Sequence, residues 1–153
     1  MLLLCAFVLG LVAGLRTFMA PAVVSWCARV GILSVASTPL AFMGYKYTPL
    51  IFTLLAVIEL VGDKLPRTPS RKSPPQFIAR IVSGSLAGVT IGAAAQSLLL
   101  GLVLGALGAV AGTLGGAAAR GKLAAAYGRD LPAALTEDLA AIAIAVAAMF
   151  RLA

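Results

Sequence analysis

An all-α bundle of membrane-spanning helices is the fold this sequence predicts, and three features predict it. Of 153 residues, 61% are hydrophobic and 11% are charged, far too little polar surface to cover a soluble domain of this length. Several apolar runs approach the ~20 residues that a helix needs to cross a bilayer. The basic residues stand at the ends of those runs, where loops meet lipid headgroups. The length allows a single transmembrane domain, residues 1–153. The pattern resolves into about five transmembrane helices, the first interrupted, with a possible internal repeat.

The first apolar segment runs from Leu2 to Ala28 and carries a polar break, GLRTFMAP, at Gly14 to Pro21. A straight helix to Leu15 would be ~21 Å long, too short to span. The helix is therefore expected to continue through the break with a kink near Pro21. With no basic stretch at its start, it suits a retained membrane helix better than a cleaved leader. Residues 29–48 form a loop whose VGILSV stretch suits the membrane interface. The second segment, Pro49–Leu65, ends in Glu59, Asp63 and Lys64, and Pro66 closes it. Pro66, Pro69, Pro74 and Pro75 stiffen the loop that follows.

The third segment, Phe77 to Gln96, and the fourth, Leu98 to Ala119, are joined so tightly that they form a helical hairpin. Gly84, Gly88 and Gly92 recur every fourth residue on the third. Gly101, Gly105, Gly108, Gly112 and Gly115 alternate steps of four and three on the fourth. Each set is expected to open one helical face to close backbone packing. A phosphate loop is excluded, because no strand precedes these glycines and no lysine follows at the required offset. The fifth segment, Thr136–Leu152, opens with Glu137 and Asp138, where a first-turn dipole favours acids and Thr136 suits the N-cap.

The net charge of +7 needs no nucleic-acid partner, since the positive-inside bias explains it. Lys64, Arg67, Arg71 and Lys72 in one loop and Arg120, Lys122 and Arg129 in another outweigh Arg29, Lys46 and Arg151. With five helices, that bias predicts a multi-pass protein of the cell inner membrane whose cytoplasmic N-terminus shares a side with both basic loops. Two short likenesses hint at repetition: GDKLP at 62–66 with GRDLP at 128–132, and LGLVAGL at 9–15 with LGAVAGT at 107–113. The second would relate oppositely directed helices, as an inverted repeat does.

The chain has no histidine, which removes Ser-His-Asp and Cys-His catalysis and every histidine-based metal site. Cys5 and Cys27 match no metal spacing and are expected to be buried thiols. No cofactor motif is present, and the carboxylates are too few and wrongly spaced for a multi-carboxylate metal site. The charges within apolar runs therefore carry the interest. Arg16 lies ~22 Å along a straight first helix, inside the hydrocarbon. An unpartnered charge there costs at least ~2.5 kcal/mol, so it either pairs inside the bundle or snorkels outward. Glu59 and Asp63 are four apart on one helical face. They need cationic partners, for which Arg16, Lys64, Arg80 and Arg120 are the candidates.

The motifs GLRTFMAP, IELVGDKLP at 58–66, FIARIVSGSLAG at 77–88 and LPAALTEDLAAI at 131–142 resemble, in order, those of a bacterial integral membrane family catalogued as domain of unknown function 4126. The resemblance covers most of the chain and marks Gly14, Pro21, Glu59, Asp63, Lys64, Pro66, Arg80, Glu137 and Asp138. The chain departs from that pattern in Arg16, where a neutral polar residue is expected, and in its short proline-rich loop after Pro66. The resemblance implies a membrane fold and leaves activity open.

Three functional classes follow. The first is a small transporter or channel for an ion, small anion or lipid headgroup, with Arg16, Glu59, Glu137 and Asp138 along the path. The second is an enzyme acting on lipid phosphates, with Arg80 and Arg120 holding phosphate and Asp63 as base. It lacks a complete catalytic constellation. The third is a non-catalytic scaffold. Membrane lipids and a second copy of the chain are the expected partners, since one small bundle leaves little room for a cavity.

Overall fold

The computed structural model describes residues 1–63 and 73–153. Among these every regular element is a helix: α1 (Leu2–Leu15), α2 (Met19–Arg29), a 3₁₀ turn (Ala41–Gly44), α3 (Thr48–Gly62), α4 (Pro74–Ala94), α5 (Leu98–Tyr127) and α6 (Asp130–Leu152). Three helices among the described residues, α4, α5 and α6, are long and apolar enough to cross a membrane, and α1 and α3 are shorter apolar helices. The chain is thus an integral membrane helical bundle.

The first segment is interrupted as expected, but at Arg16 and not at Pro21. Arg16 is extended, with φ −140° and ψ 113°. Pro21 sits in the first turn of α2, where the N–H it lacks would have no helical acceptor. Proline there is compatible with a helix start and does not mark the break.

The interruption also reverses the chain. Gly14 in α1 packs on Gly112 of α5, and Gly10 packs on Gly105, so α1 and α5 run parallel. At the other end of α1, Met1, Leu4 and Cys5 share a cleft with Ala148 and Arg151 near the end of α6. The amides of Thr17 and Phe18 meet Glu59, while the Trp26 indole N–H donates to Thr53 Oγ1 at 3.1 Å. Hence α2 is antiparallel to α3. Asp63, just past the end of α3, meets Arg120 on the last third of α5. So α3 rises toward the same end as α1 and α5, and α2 descends. The N-terminus therefore lies at the end opposite the α5–α6 turn, beside the C-terminus, and does not share an end with the basic α5–α6 loop, while the other basic loop lies outside the described residues. Helix counting placed it wrongly because a kink keeps the chain's direction and this turn does not.

The α1–α4–α5 core is glycine-made. Gly84, Gly88 and Gly92 of α4 face Gly101, Gly105 and Ala109 of α5 in an antiparallel pair. A Cβ on Gly84 would lie 2.7 Å from Ala109 Cβ, so no larger residue fits without moving a backbone. On α5 the glycines serve two neighbours and not one face. Gly101 and Gly105 meet α4, Gly108 and Gly112 meet α1, and Gly115 meets nothing within 4 Å. The alternation of four-residue and three-residue steps is the signature of that division. The segments 9–15 and 107–113 are thus parallel partners, with Gly10 against Gly108 and Gly14 against Gly112, as small-xxx-small pairs in membranes pack. Their likeness does not describe oppositely directed helices.

Other boundaries shift for local reasons. Pro74 and Pro75 open α4 at its first positions, where proline is favoured. Helix α5 runs on through helix-favouring residues to Tyr127 and stops at Gly128, which is left-handed at φ +65°. Helix α6 starts at Asp130, so Thr136 is no N-cap. Its hydroxyl donates to Ala133 O at 2.8 Å within the helix. Glu137 and Asp138 consequently lie two turns inside α6 and are buried. In the 30–47 loop, Leu33 and Val35 tuck into the apolar core. Cys5 and Cys27 are buried free thiols.

Candidate functional site: a charge cluster at the helix interruption

Breaking a helix inside a bilayer bares carbonyls at one new end and amides at the other, and unsatisfied groups there cost several kcal/mol each, roughly. This chain meets both with side chains of matching charge. Arg80, on α4, donates from Nη1 to Gly14 O at 2.5 Å and to Leu15 O at 2.8 Å, closing the carbonyl end of α1. Thr113 adds a hydroxyl contact to Gly14 O at 3.3 Å. The Glu59 carboxylate accepts from Thr17 N at 2.7 Å and Phe18 N at 3.0 Å, closing the amide end of α2. Each charge sits where the helix dipole favours it. Arg80 and Glu59 also face each other, Nη2 to Oε1, at 3.7 Å. The Ser83 hydroxyl donates to Thr17 O and ties α4 to the turn.

The Arg16 side chain turns inward from the same three-residue turn and is 1% exposed. It pairs with Asp63 beyond α3 and with Asp138 on α6, and Glu137 lies 4.0 Å away. Its Nε is buried with no acceptor among the described residues. Arg120, on α5, shares two of those carboxylates: Nη1 is 2.9 Å from Asp63 and 3.7 Å from Glu137. Its other edge meets Asp130, Nε to Oδ1 at 3.0 Å and Nη2 to Oδ2 at 2.6 Å. All five carboxylates of the chain are thereby gathered around Arg16, Arg80 and Arg120.

The cluster has two halves of different character. Arg80, Glu59, Ser83 and Thr113 are committed to backbone groups and hold the turn. Arg16, Arg120, Asp63, Glu137 and Asp138 bind mainly one another through shared partners. The acids interleave with arginines, and among the described residues no three of them converge as a metal site requires. A groove of about 350 Å³, walled by Leu11, Leu15, Gly115, Gly116, Ala140 and Ile144, reaches Arg120 and Glu137 from the side.

Of the residues the sequence singled out, Arg16, Glu59, Asp63, Arg80, Arg120, Glu137 and Asp138 meet in this one cluster. Lys64 lies outside the described residues, as does most of the proline-rich loop. Glu59 pairs with Arg80 and Asp63 with Arg16 and Arg120, a division that spacing alone left open. Sequence reasoning passed over Asp130 as a site residue, along with Ser83, Thr113 and the backbone groups of residues 14–18. Asp130 had a signal. GDKLP and GRDLP each carry an acid, and those two acids, Asp63 and Asp130, flank the same guanidinium.

The family model described as "Domain of unknown function (DUF4126)" matches residues 3–151, and the chain belongs to that family. No match is found among curated proteins or among solved structures.

Proposed function

We propose that this member of the family moves a small inorganic ion across the cell inner membrane by way of the charge cluster at the α1–α2 turn. One observation carries the reading: Arg16 and Arg120, on different elements, hold the same carboxylates, Asp63 and Glu137. An ion pair in such an arrangement passes from one arginine to the other without leaving a buried charge bare, which is the costly event in a low-dielectric interior. Ionisable groups within membrane bundles are rare and commonly mark ion or substrate paths, and broken helices form the sites of many transporters. The buried Nε–H of Arg16 adds a donor for a passing ion or water. The lipid-phosphate reading is less favoured, because it needs Arg80 for phosphate and Arg80 is spent on the Gly14 and Leu15 carbonyls.

A scaffold is the second reading, favoured by the Arg80–Glu59 half of the cluster, whose contacts are those of helix capping. The two readings part in purified proteoliposomes loaded for proton, sodium, potassium or chloride flux. The ion-path reading expects flux above empty vesicles for at least one ion. It also expects a fall of about tenfold or more in Glu137→Gln and Asp63→Asn, the rate equivalent of ~1.4 kcal/mol at one ion pair. Native protein that is monodisperse and silent for every ion would favour the scaffold.

The positive-inside bias, applied to this fold, puts the end bearing Lys122 and Arg129 in the cytoplasm and both termini on the far side. Lipid, and at one face a second copy of the chain, would cover the apolar outer residues of α3, Leu50, Leu54, Val57, Ile58 and Val61, all of them exposed in the single chain.

A further inference from the structure

The cluster forms a ladder of charges graded by exposure. Asp130, at the first position of α6, is 64% exposed, and Arg120 beneath it is 15% exposed. Asp63 follows at 14% and Arg16 at 1%. Consecutive rungs touch: Asp130 to Arg120 at 2.6 Å, Arg120 to Asp63 at 2.9 Å, and Asp63 to Arg16. The Arg120 guanidinium is therefore a planar plate between the exposed Asp130 and the inner charges. One edge is fixed to Asp130 by two hydrogen bonds and the other faces Asp63.

We infer that Asp130 is the gate residue of the cluster: by holding Arg120 across its mouth, it closes the buried charges to water from the α5–α6 end. The physical basis is the geometry of the pair. Two parallel bonds from Nε and Nη2 fix the plane of a guanidinium as well as its position, so losing Asp130 leaves the plate held at its Nη1 edge by Asp63 and free to pivot about that contact. The partner is the most exposed charged group of the cluster, so water competes for it directly, and an exposed pair of this kind opens at small cost. The inner rungs are less exposed, partly at Arg120–Asp63 and fully at Arg16, and are costlier to part. Opening is thus confined to the top rung. Asp130 acts on the buried charges through Arg120, so it is a positioning residue. Its consequence for flux rests on the ion-path reading, while its consequence for water access does not.

The test uses a thiol placed on the route. Ala134 lies one turn from Asp130 and one turn from Asp138 on α6, and it is 1% exposed. Ala134→Cys in the full chain in lipid nanodiscs is exposed to a cationic methanethiosulfonate, with the buried Cys5 and Cys27 as internal markers of an intact fold. The Ala134→Cys thiol is expected to react slowly in the parent and at least about tenfold faster when Asp130→Asn is added, the equivalent of ~1.4 kcal/mol of gate closure. With Asp130→Glu, which keeps the carboxylate, the rate should stay near the parent's, and Cys5 and Cys27 should remain protected throughout. Equal rates in parent and Asp130→Asn, or Asp130→Glu as fast as Asp130→Asn, would overturn the gate. Faster labelling with no flux from any variant would uphold the gate and count against the ion-path reading.

Discussion

Arg80→Met is expected to unfold the α1–α2 turn and to destabilise the protein by about 3–5 kcal/mol, the scale of removing one partner from a buried ion pair. Two losses combine. The carbonyls of Gly14 and Leu15 lose their donor inside the bilayer, and Glu59 loses the cation facing it. Arg80→Lys should fall between. An ammonium keeps the charge, but a compact point donor cannot hold two carbonyls while facing Glu59 as the planar fork does. Glu59→Gln should cost less than Glu59→Leu, because the amide oxygen still accepts from the turn while leucine leaves Thr17 N and Phe18 N bare. Thermal unfolding in detergent, followed by loss of the monodisperse peak, measures the order. If Arg80→Met were as stable as the parent, Arg80 would not be the cap of α1.

The second large effect is at Arg16 and is best read as a double-mutant cycle. Arg16→Met alone leaves Asp63 and Asp138 without their shared cation and should cost a comparable ~3–5 kcal/mol. Asp138→Leu alone bares one side of Arg16. Together the two changes replace a charge pair by apolar groups, which buried sites tolerate far better than half a pair. The double variant should therefore regain about 1–3 kcal/mol over the sum of the single losses, within the range of measured couplings between touching residues. Strict additivity would mean that Arg16 and Asp138 do not interact. The pairing also separates stability from function, since the double variant is expected to fold and yet carry no ion.

What the sequence made legible followed from cost. Hydrocarbon as solvent was plain from composition, and the price of an isolated charge there pointed to Arg16 and to the Glu59–Asp63 pair before any partner was visible. The glycine steps on α4 and α5 announced close packing. The interruption was legible in GLRTFMAP, but the reversal at Arg16–Phe18 was not, for a physical reason. It contains no glycine, and its nearest proline belongs to the next helix. It is held by Glu59, Arg80 and Ser83, residues 41 to 66 positions away, so no local window contains its cause. That one miss put the N-terminus at the wrong end relative to the α5–α6 turn and made the likeness of 9–15 to 107–113 look like an inverted pair. A similar error hid Asp130. With the last helix begun at Thr136, the acids at 137 and 138 were explained by capping, and the acid that does open the helix fell into a loop.

The fold turns on the chain doubling back at Arg16–Phe18, where the end of the first helix meets the charges of α3, α5 and α6. The most direct measurement is sided labelling in sealed vesicles. It would use a tag at each terminus and Gly121→Cys, a position where an added side chain meets nothing within 4 Å. Labelling of both tags from one face and of Gly121→Cys from the other is the predicted result. An N-terminal tag reached from the same face as Gly121→Cys, with the C-terminal tag on the opposite one, would contradict it.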